Sequence, residues 1–229
     1  MRFLIVLIIL FNIINMRCMV EPKDVWPNHH IPYEVIGLSI EESLEVQSCM
    51  MLWEIASQFR VKFINIQLAD DKHIEDDCKV LKIFKIKYAG HILAATSSLG
   101  YFNDTNFIIF SNNFDRGIIL HELGHVLGLI DEILRPDSSL YINIPDNIKL
   151  PIGMVNYNKL GYYWYKYPFD YHSVMLYPGE SGITKKDGSD LPINNTEDMM
   201  ISPIDAKKVY DIYSDTRDEF YGEENIGPE

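Results

Sequence analysis

Alternating and helically spaced hydrophobic residues divide the first half of the chain into distinct elements. Residues 31–36 predict a first strand, and Ser39 followed by Glu42 has the capping-box pattern that begins a helix. Hydrophobic side chains then recur at helical spacing between residues 40 and 59. This segment therefore predicts a long helix with one buried face.

Short segments of mostly alternating hydrophobic and polar residues follow this helix and predict further strands. They lie at residues 61–67, 80–88, 91–97 and 106–110. We expect the third of them to be an edge strand beside a cleft. Asp115 then has the position of a helix N-cap, and Gly128 has that of the residue just past a helix end.

The second half of the chain has less regular patterning. Residues 133–200 are rich in Pro, Gly, Asn, Asp and Tyr, and we expect little regular structure there. Ser202, Pro203 and Asp205 then supply an N-cap, a proline at the first helical position and an acid in the first turn. They predict a final helix over residues 204–213.

The N-terminus predicts a secretory signal peptide at residues 1–18. Arg2 supplies a positive charge, and residues 3–10 are wholly apolar. The apolar run is shorter than the roughly 20 residues that a membrane-spanning helix needs. We therefore expect a secreted, extracellular protein without stable membrane insertion, and the cleavage site stays open.

The length and the net charge of the chain indicate its domain organisation and disfavour one class of partner. The chain has 229 residues, which suits one domain or two lobes that share a cleft. Its formal net charge is −13, and an acidic balance of this size disfavours nucleic acid as a partner. We expect a monomer.

Three cysteines and two glycosylation sequons fit an exported protein. If Cys18 leaves with the signal peptide, Cys49 and Cys78 can form a disulfide, and two buried free thiols are the alternative. The sequons make Asn103 and Asn194 candidates for N-glycosylation.

One helical segment carries the candidate chemistry. His121 and His125 are four residues apart, so on a helix both imidazoles face the same side and can bind one zinc ion. Glu122 can then act as general base and acid on a zinc-activated water. The chain turns at Gly128, and Asp131 arrives where a third ligand is needed. The alternative is an amphipathic helix with two incidental histidines.

Four segments, in order, resemble the astacin family of zinc metalloendopeptidases, within the metzincin clan. HELGHVLGLIDEILRPD, from His121, resembles the zinc-binding signature, and DYHSVMLY, from Asp170, resembles the Met-turn. WPNHHIPYEV, from Trp26, is similar to the start of the catalytic domain, and SPIDAKKVYDIY, from Ser202, to its last helix. The resemblance implies a catalytic domain at residues 24–215, followed by a polar tail at 216–229.

The resemblance also implies roles for three further residues. Met175 would form the apolar floor under the metal, which is nearly the same claim as an ordinary core methionine. Tyr177 would be a fifth zinc ligand or an oxyanion stabiliser, with a packed aromatic as the alternative. Glu132 would hold the mature N-terminus through a buried, water-linked ion pair, with a surface acid as the alternative.

One departure from the family bears on activity, because Asp131 stands where the family has its third histidine. Aspartate can bind zinc through oxygen, but it is shorter than imidazole and changes the charge at the metal. We therefore expect one zinc ion per chain, held by His121, His125 and Asp131, and a protein or peptide substrate. The alternative function is a catalytically silent, secreted binding protein on the same fold.

The resemblance implies an α+β fold of the metzincin type. It would have two lobes, with a twisted mixed sheet and two long helices in one and a Met-turn and C-terminal helix in the other. Zinc would lie in the cleft between them.

Overall fold

The computed structural model describes six stretches of the chain, which are residues 25–68, 79–86, 95–101, 105–111, 114–146 and 166–214. The signal peptide predicted at 1–18 and the tail predicted at 216–229 lie outside these residues, as do Cys78 and Asn103. Within the described stretches, no helix has the length and apolar character that crossing a membrane requires.

Five strands form the larger sheet, in the order β2-β1-β3-β5-β4. Their bounds are His30–Ile36 (β1), Lys62–Asn65 (β2), Leu81–Lys85 (β3), Ala95–Ser97 (β4) and Asn106–Phe110 (β5). Strands β1, β2, β3 and β5 pair in parallel, and β4 runs antiparallel to β5 at the edge. The edge position predicted for residues 91–97 is thus confirmed for its described part.

Helix α1 spans Ile40–Ala56 and packs against the sheet. It begins as predicted, since the Ser39 hydroxyl accepts from the Glu42 N–H and the Glu42 carboxylate accepts from the Ser39 N–H. The prediction that this helix reaches residue 59 is wrong. Gln58 and Phe59 have φ angles of 55° and 60°, in the left-handed region that an α-helix of L-residues cannot continue through.

Helix α2 spans Arg116–Val126, and the Asp115 carboxylate accepts from the Ile118 N–H at its start. Two buried tryptophan side chains of the core donate hydrogen bonds to backbone carbonyl groups of α2. The Trp53 Nε1–H donates to the Leu120 carbonyl oxygen, and the Trp26 Nε1–H donates to that of Val126, both at 3.0 Å. The helix that carries the candidate chemistry is thus held by hydrogen bonds as well as by packing.

The rest of the described chain contains a second, smaller sheet and the last helix, which packs against α1. A two-stranded sheet pairs Ile142–Asn143 (β6) with Thr184–Lys185 (β7), and helix α3 spans Pro203–Ile212. A second hydrophobic cluster, separate from the main one, lies in this region, with Leu134 and Phe169 among its members. The two clusters accord with two lobes, and the mixed sheet with three helices confirms the predicted α+β class.

Cys49 is a free thiol in this structure, as in the alternative to a disulfide with Cys78, which itself lies outside the described residues. Cys49 lies on the buried face of α1, with its Sγ 3.9 Å from the Arg116 carbonyl oxygen. Burial raises the pKa of this thiol to about 12. Asn194, the candidate glycosylation site within the described residues, is exposed.

Candidate metal centre

Helix α2 points both histidines of the predicted site toward one place, and the backbone fixes the orientation of each ring. His121 Nδ1 lies 2.8 Å from the Val174 carbonyl oxygen, and His125 Nδ1 lies 2.8 Å from that of Leu129. A carbonyl can only accept, so each Nδ1 carries the hydrogen. In the neutral ring, each Nε2 is then left with a lone pair for a ligand.

Asp131 completes the group, as the sequence predicted. The turn that follows α2 passes through Gly128, whose φ of 97° suits glycine, and brings the Asp131 carboxylate back to the helix. Asp131 Oδ1 lies 3.2 Å from His121 Nε2 and 3.3 Å from His125 Nε2. These distances place three ligand atoms around a common centre.

The donor set fits a zinc ion. Two ligand atoms held by one tetrahedral zinc at about 2.0–2.2 Å are roughly 3.3–3.6 Å apart, close to the separations found here. Asp131 Oδ1 is buried and receives no well-directed hydrogen bond. A carboxylate oxygen facing two imidazole lone pairs is an unfavourable arrangement unless a cation or a proton lies between them.

The pKa shifts of His121 and Asp131 also indicate a site that favours a cation. Burial disfavours the charged form of His121, but the adjacent Asp131 outweighs burial and raises the His121 pKa to about 9. Burial likewise opposes the Asp131 carboxylate, yet His125 and His121 hold its pKa well below its usual range. A positive charge is therefore favoured in the space between the three side chains.

Glu122 lies beside this group on α2 and is 6% exposed. Its Oε2 accepts a hydrogen bond from the Ser97 hydroxyl at 2.5 Å. Tyr177 also lies at the site, with its ring centroid 6.1 Å from that of His121. The structure thus brings together His121, Glu122, His125, Asp131 and Tyr177.

The segment from Ser173 to Met175 lies beneath the histidines. Met175 is fully buried, and a Cβ built on Gly124 would be 2.4 Å from its Sδ. The Val174 N–H donates to Asp205 Oδ2 at 2.8 Å, while the Val174 carbonyl holds His121. The floor role that the family resemblance implied for Met175 stays a prediction, and the burial of this side chain against α2 is compatible with it.

Glu132 is buried, at 2% exposure, which excludes the surface-acid alternative. Its Oε1 accepts from Arg135 Nη1 at 2.8 Å and from the Asp170 N–H at 3.0 Å, and its Oε2 accepts from Lys208 Nζ at 2.8 Å. The ion pair with the mature N-terminus stays a prediction, because residues 1–24 lie outside the described part of the chain. Within the described residues, Arg135 and Lys208 form ion pairs with this carboxylate.

Sequence reasoning did not identify three residues that support the site. Ser97 gave no signal, because a single serine in a strand is ordinary. The sequence predicts Asp205 only as an acid in the first turn of the last helix. Lys208 did carry a signal, since it shares the face of α3 that buries Val209 and Ile212, where a lysine needs a partner.

The comparisons with known proteins agree with this geometry. The model of the peptidase family described as Astacin matches residues 18–213. The chain is 32% identical over 141 residues to "Astacin-like metalloprotease toxin 2" of Loxosceles intermedia, covering 56% of this chain and 54% of that protein. It is 32% identical over 133 residues to "Zinc metalloproteinase nas-5" of Caenorhabditis elegans, covering 51% and 36%. The matches thus span about a third to a half of these relatives.

Solved structures show the same fold. The hatching enzyme zinc-protease "High choriolytic enzyme 1" of Oryzias latipes superposes with a TM-score of 0.58 at 21% identity, over 85% of this chain and 96% of that chain. Myroilysin superposes with a TM-score of 0.53 at 17% identity, over 83% and 95%. The family model covers most of the sequence, and the chain therefore belongs to the astacin family of peptidases.

Proposed function

We propose that this chain is a secreted zinc-dependent endopeptidase. The observation that carries the proposal is the convergence of His121 Nε2, His125 Nε2 and Asp131 Oδ1 on one centre, with the carboxylate of Glu122 beside it. These three residues would hold one zinc ion per chain. Membership of a zinc metalloprotease family supports the activity, and the signal peptide predicted at residues 1–18 supports secretion.

The residues around the centre divide the chemistry between them. Zinc held there would supply a Lewis acid that activates water and polarises the scissile carbonyl. Glu122 takes the proton from the attacking water and delivers it to the leaving amine, as general base and then acid. Tyr177 stabilises the negative charge that develops on the carbonyl oxygen.

The edge strand β4 is the proposed binding site for the substrate backbone. It pairs with β5 on one side, so its other side can accept an extended peptide as an added antiparallel or parallel strand. Its last residue, Ser97, contacts Glu122 directly. A peptide bound along β4 would therefore pass close to the general base.

Cleavage of a generic protein substrate, with and without a chelator, tests this function. We expect casein or gelatin hydrolysis that a chelator removes and added zinc restores. Glu122→Gln should retain zinc but lose nearly all hydrolysis, while Glu197→Gln, which alters an exposed carboxylate, should leave hydrolysis unchanged. Unchanged hydrolysis by Glu122→Gln would show that the mechanism is wrong.

A second candidate function is a catalytically silent, secreted binding protein on the same fold. It is favoured by one observation, the aspartate at position 131 where the family has histidine. A silent protein would contain no zinc, or would contain zinc without chelator-sensitive cleavage. Asp131→His adds a sharper comparison, because raised hydrolysis in this variant would show that the aspartate attenuates an otherwise competent site.

A further inference from the structure

A hydrogen bond joins the Glu122 carboxylate to Ser97 on the edge strand β4. The Ser97 hydroxyl donates to Glu122 Oε2 at 2.5 Å. Ser97 and Glu122 are 25 residues apart in sequence and belong to different elements, β4 and α2. The bond therefore joins the sheet edge to the helix that carries the candidate ligands.

This bond fixes how Glu122 presents its two oxygens. A glutamate side chain has three rotatable bonds, and packing alone leaves the orientation of its carboxylate broad. When Ser97 holds Oε2, Oε1 remains to contact water. A general base has to lie within hydrogen-bond reach of the proton it accepts, so restricting this rotation favours the productive geometry.

The position of Ser97 adds a second consequence. Ser97 pairs with Ile108 of β5 within the sheet, which fixes its place along the edge. A peptide that adds to β4 is therefore aligned with the same residue that orients Glu122. Substrate register and base orientation depend on one side chain.

We propose that Ser97 is a positioning residue for peptide hydrolysis, which orients the Glu122 carboxylate relative to a substrate bound along β4. The inference rests on the proposed endopeptidase function, but it concerns a residue to which neither the family match nor the sequence patterns assign a role. In this proposal Ser97 itself transfers no proton.

Steady-state kinetics on a fluorogenic peptide test the proposal. Ser97→Ala should lower kcat by about tenfold, as the loss of one charge-assisted hydrogen bond to a catalytic group does, with KM changed less than about twofold. Ser97→Thr retains the hydroxyl and should restore kcat. Ser57→Ala is the matched control, because it removes a fully buried hydroxyl at the end of α1, away from the site. Ser57→Ala should keep kcat.

A measurement independent of activity completes the test. Urea unfolding of the metal-free protein should show non-additive midpoint shifts for Ser97→Ala and Glu122→Ala, because the two changes remove one shared bond. Additive shifts, a kcat unchanged in Ser97→Ala, or a failure of Ser97→Thr to restore kcat would each overturn the proposal. A wild-type protein without chelator-sensitive cleavage would instead overturn the endopeptidase function, and the unfolding cycle would still report on the bond.

Discussion

The close contact between Gly124 and Met175 allows us to predict how Gly124→Ala changes the free energy of unfolding. Gly124 lies within α2, where replacing glycine by alanine ordinarily stabilises a helix by about 1 kcal/mol. Here the added Cβ would lie 2.4 Å from Met175 Sδ and 3.3 Å from Trp53 Cζ2. Met175 and Trp53 are both fully buried, so neither can move into solvent to make room.

The expected sign of Gly124→Ala is therefore the reverse of the helix propensity. Overpacking a core by one methyl group costs about 1–3 kcal/mol, which exceeds the propensity gain by roughly 1 kcal/mol on average. With a urea m-value of about 2 kcal/mol/M, the unfolding midpoint should fall by roughly 0.5 M. Unfolding would be followed in the presence of chelator, so that metal binding does not contribute.

A double-mutant cycle isolates the contact. Met175→Ala alone should cost about 2–5 kcal/mol, because it leaves a cavity in the core. In the double variant the added methyl no longer meets the sulfur, so the combined loss should be smaller than the sum by about 1 kcal/mol or more. A Gly124→Ala variant that is more stable than the wild type, or additive losses of stability in the cycle, would refute the close approach of Met175 to α2.

Two further predictions concern buried groups away from the metal ligands. Lys208→Met should destabilise the protein by about 1–3 kcal/mol in urea unfolding, since it removes one of two cations from the buried Glu132. Lys207→Met, which alters a more exposed lysine on the same helix, should cost under about 0.5 kcal/mol. Equal losses in the two variants would contradict the role of Lys208. Cys49 should resist iodoacetamide at about pH 8 in the native protein, because burial raises its pKa to about 12. It should react once the protein is denatured without reductant, whereas protection in the denatured, unreduced protein would reveal a disulfide.

Features that depend on neighbours in sequence were predictable. The capping residues Ser39, Asp115 and Ser202 begin helices as expected, because a cap acts within three residues. The cluster of candidate metal ligands was equally predictable, because its residues lie within one helix and the turn that follows it. Local spacing on a helix, together with the break at Gly128, is enough to bring Asp131 back to the histidines.

Features that depend on distant segments were not predictable. Hydrophobic spacing extended α1 to residue 59, and nothing in that spacing indicates the left-handed backbone at Gln58. Contacts that support the site, from Ser97 to Glu122 and from Asp205 to Val174, join residues 25 and 31 positions apart. A serine or an aspartate in such places has many alternative partners, and only the packed fold selects one.

The backbone of Val174 has a consequence for how this site would respond to mutational scanning. Its N–H is held by Asp205 and its carbonyl oxygen holds His121, so the connection between α3 and the histidine runs through main-chain atoms. Replacing the Val174 side chain leaves both atoms in place. An alanine scan would therefore record only a packing loss at Val174, and the dependence of His121 on this segment would emerge at Asp205.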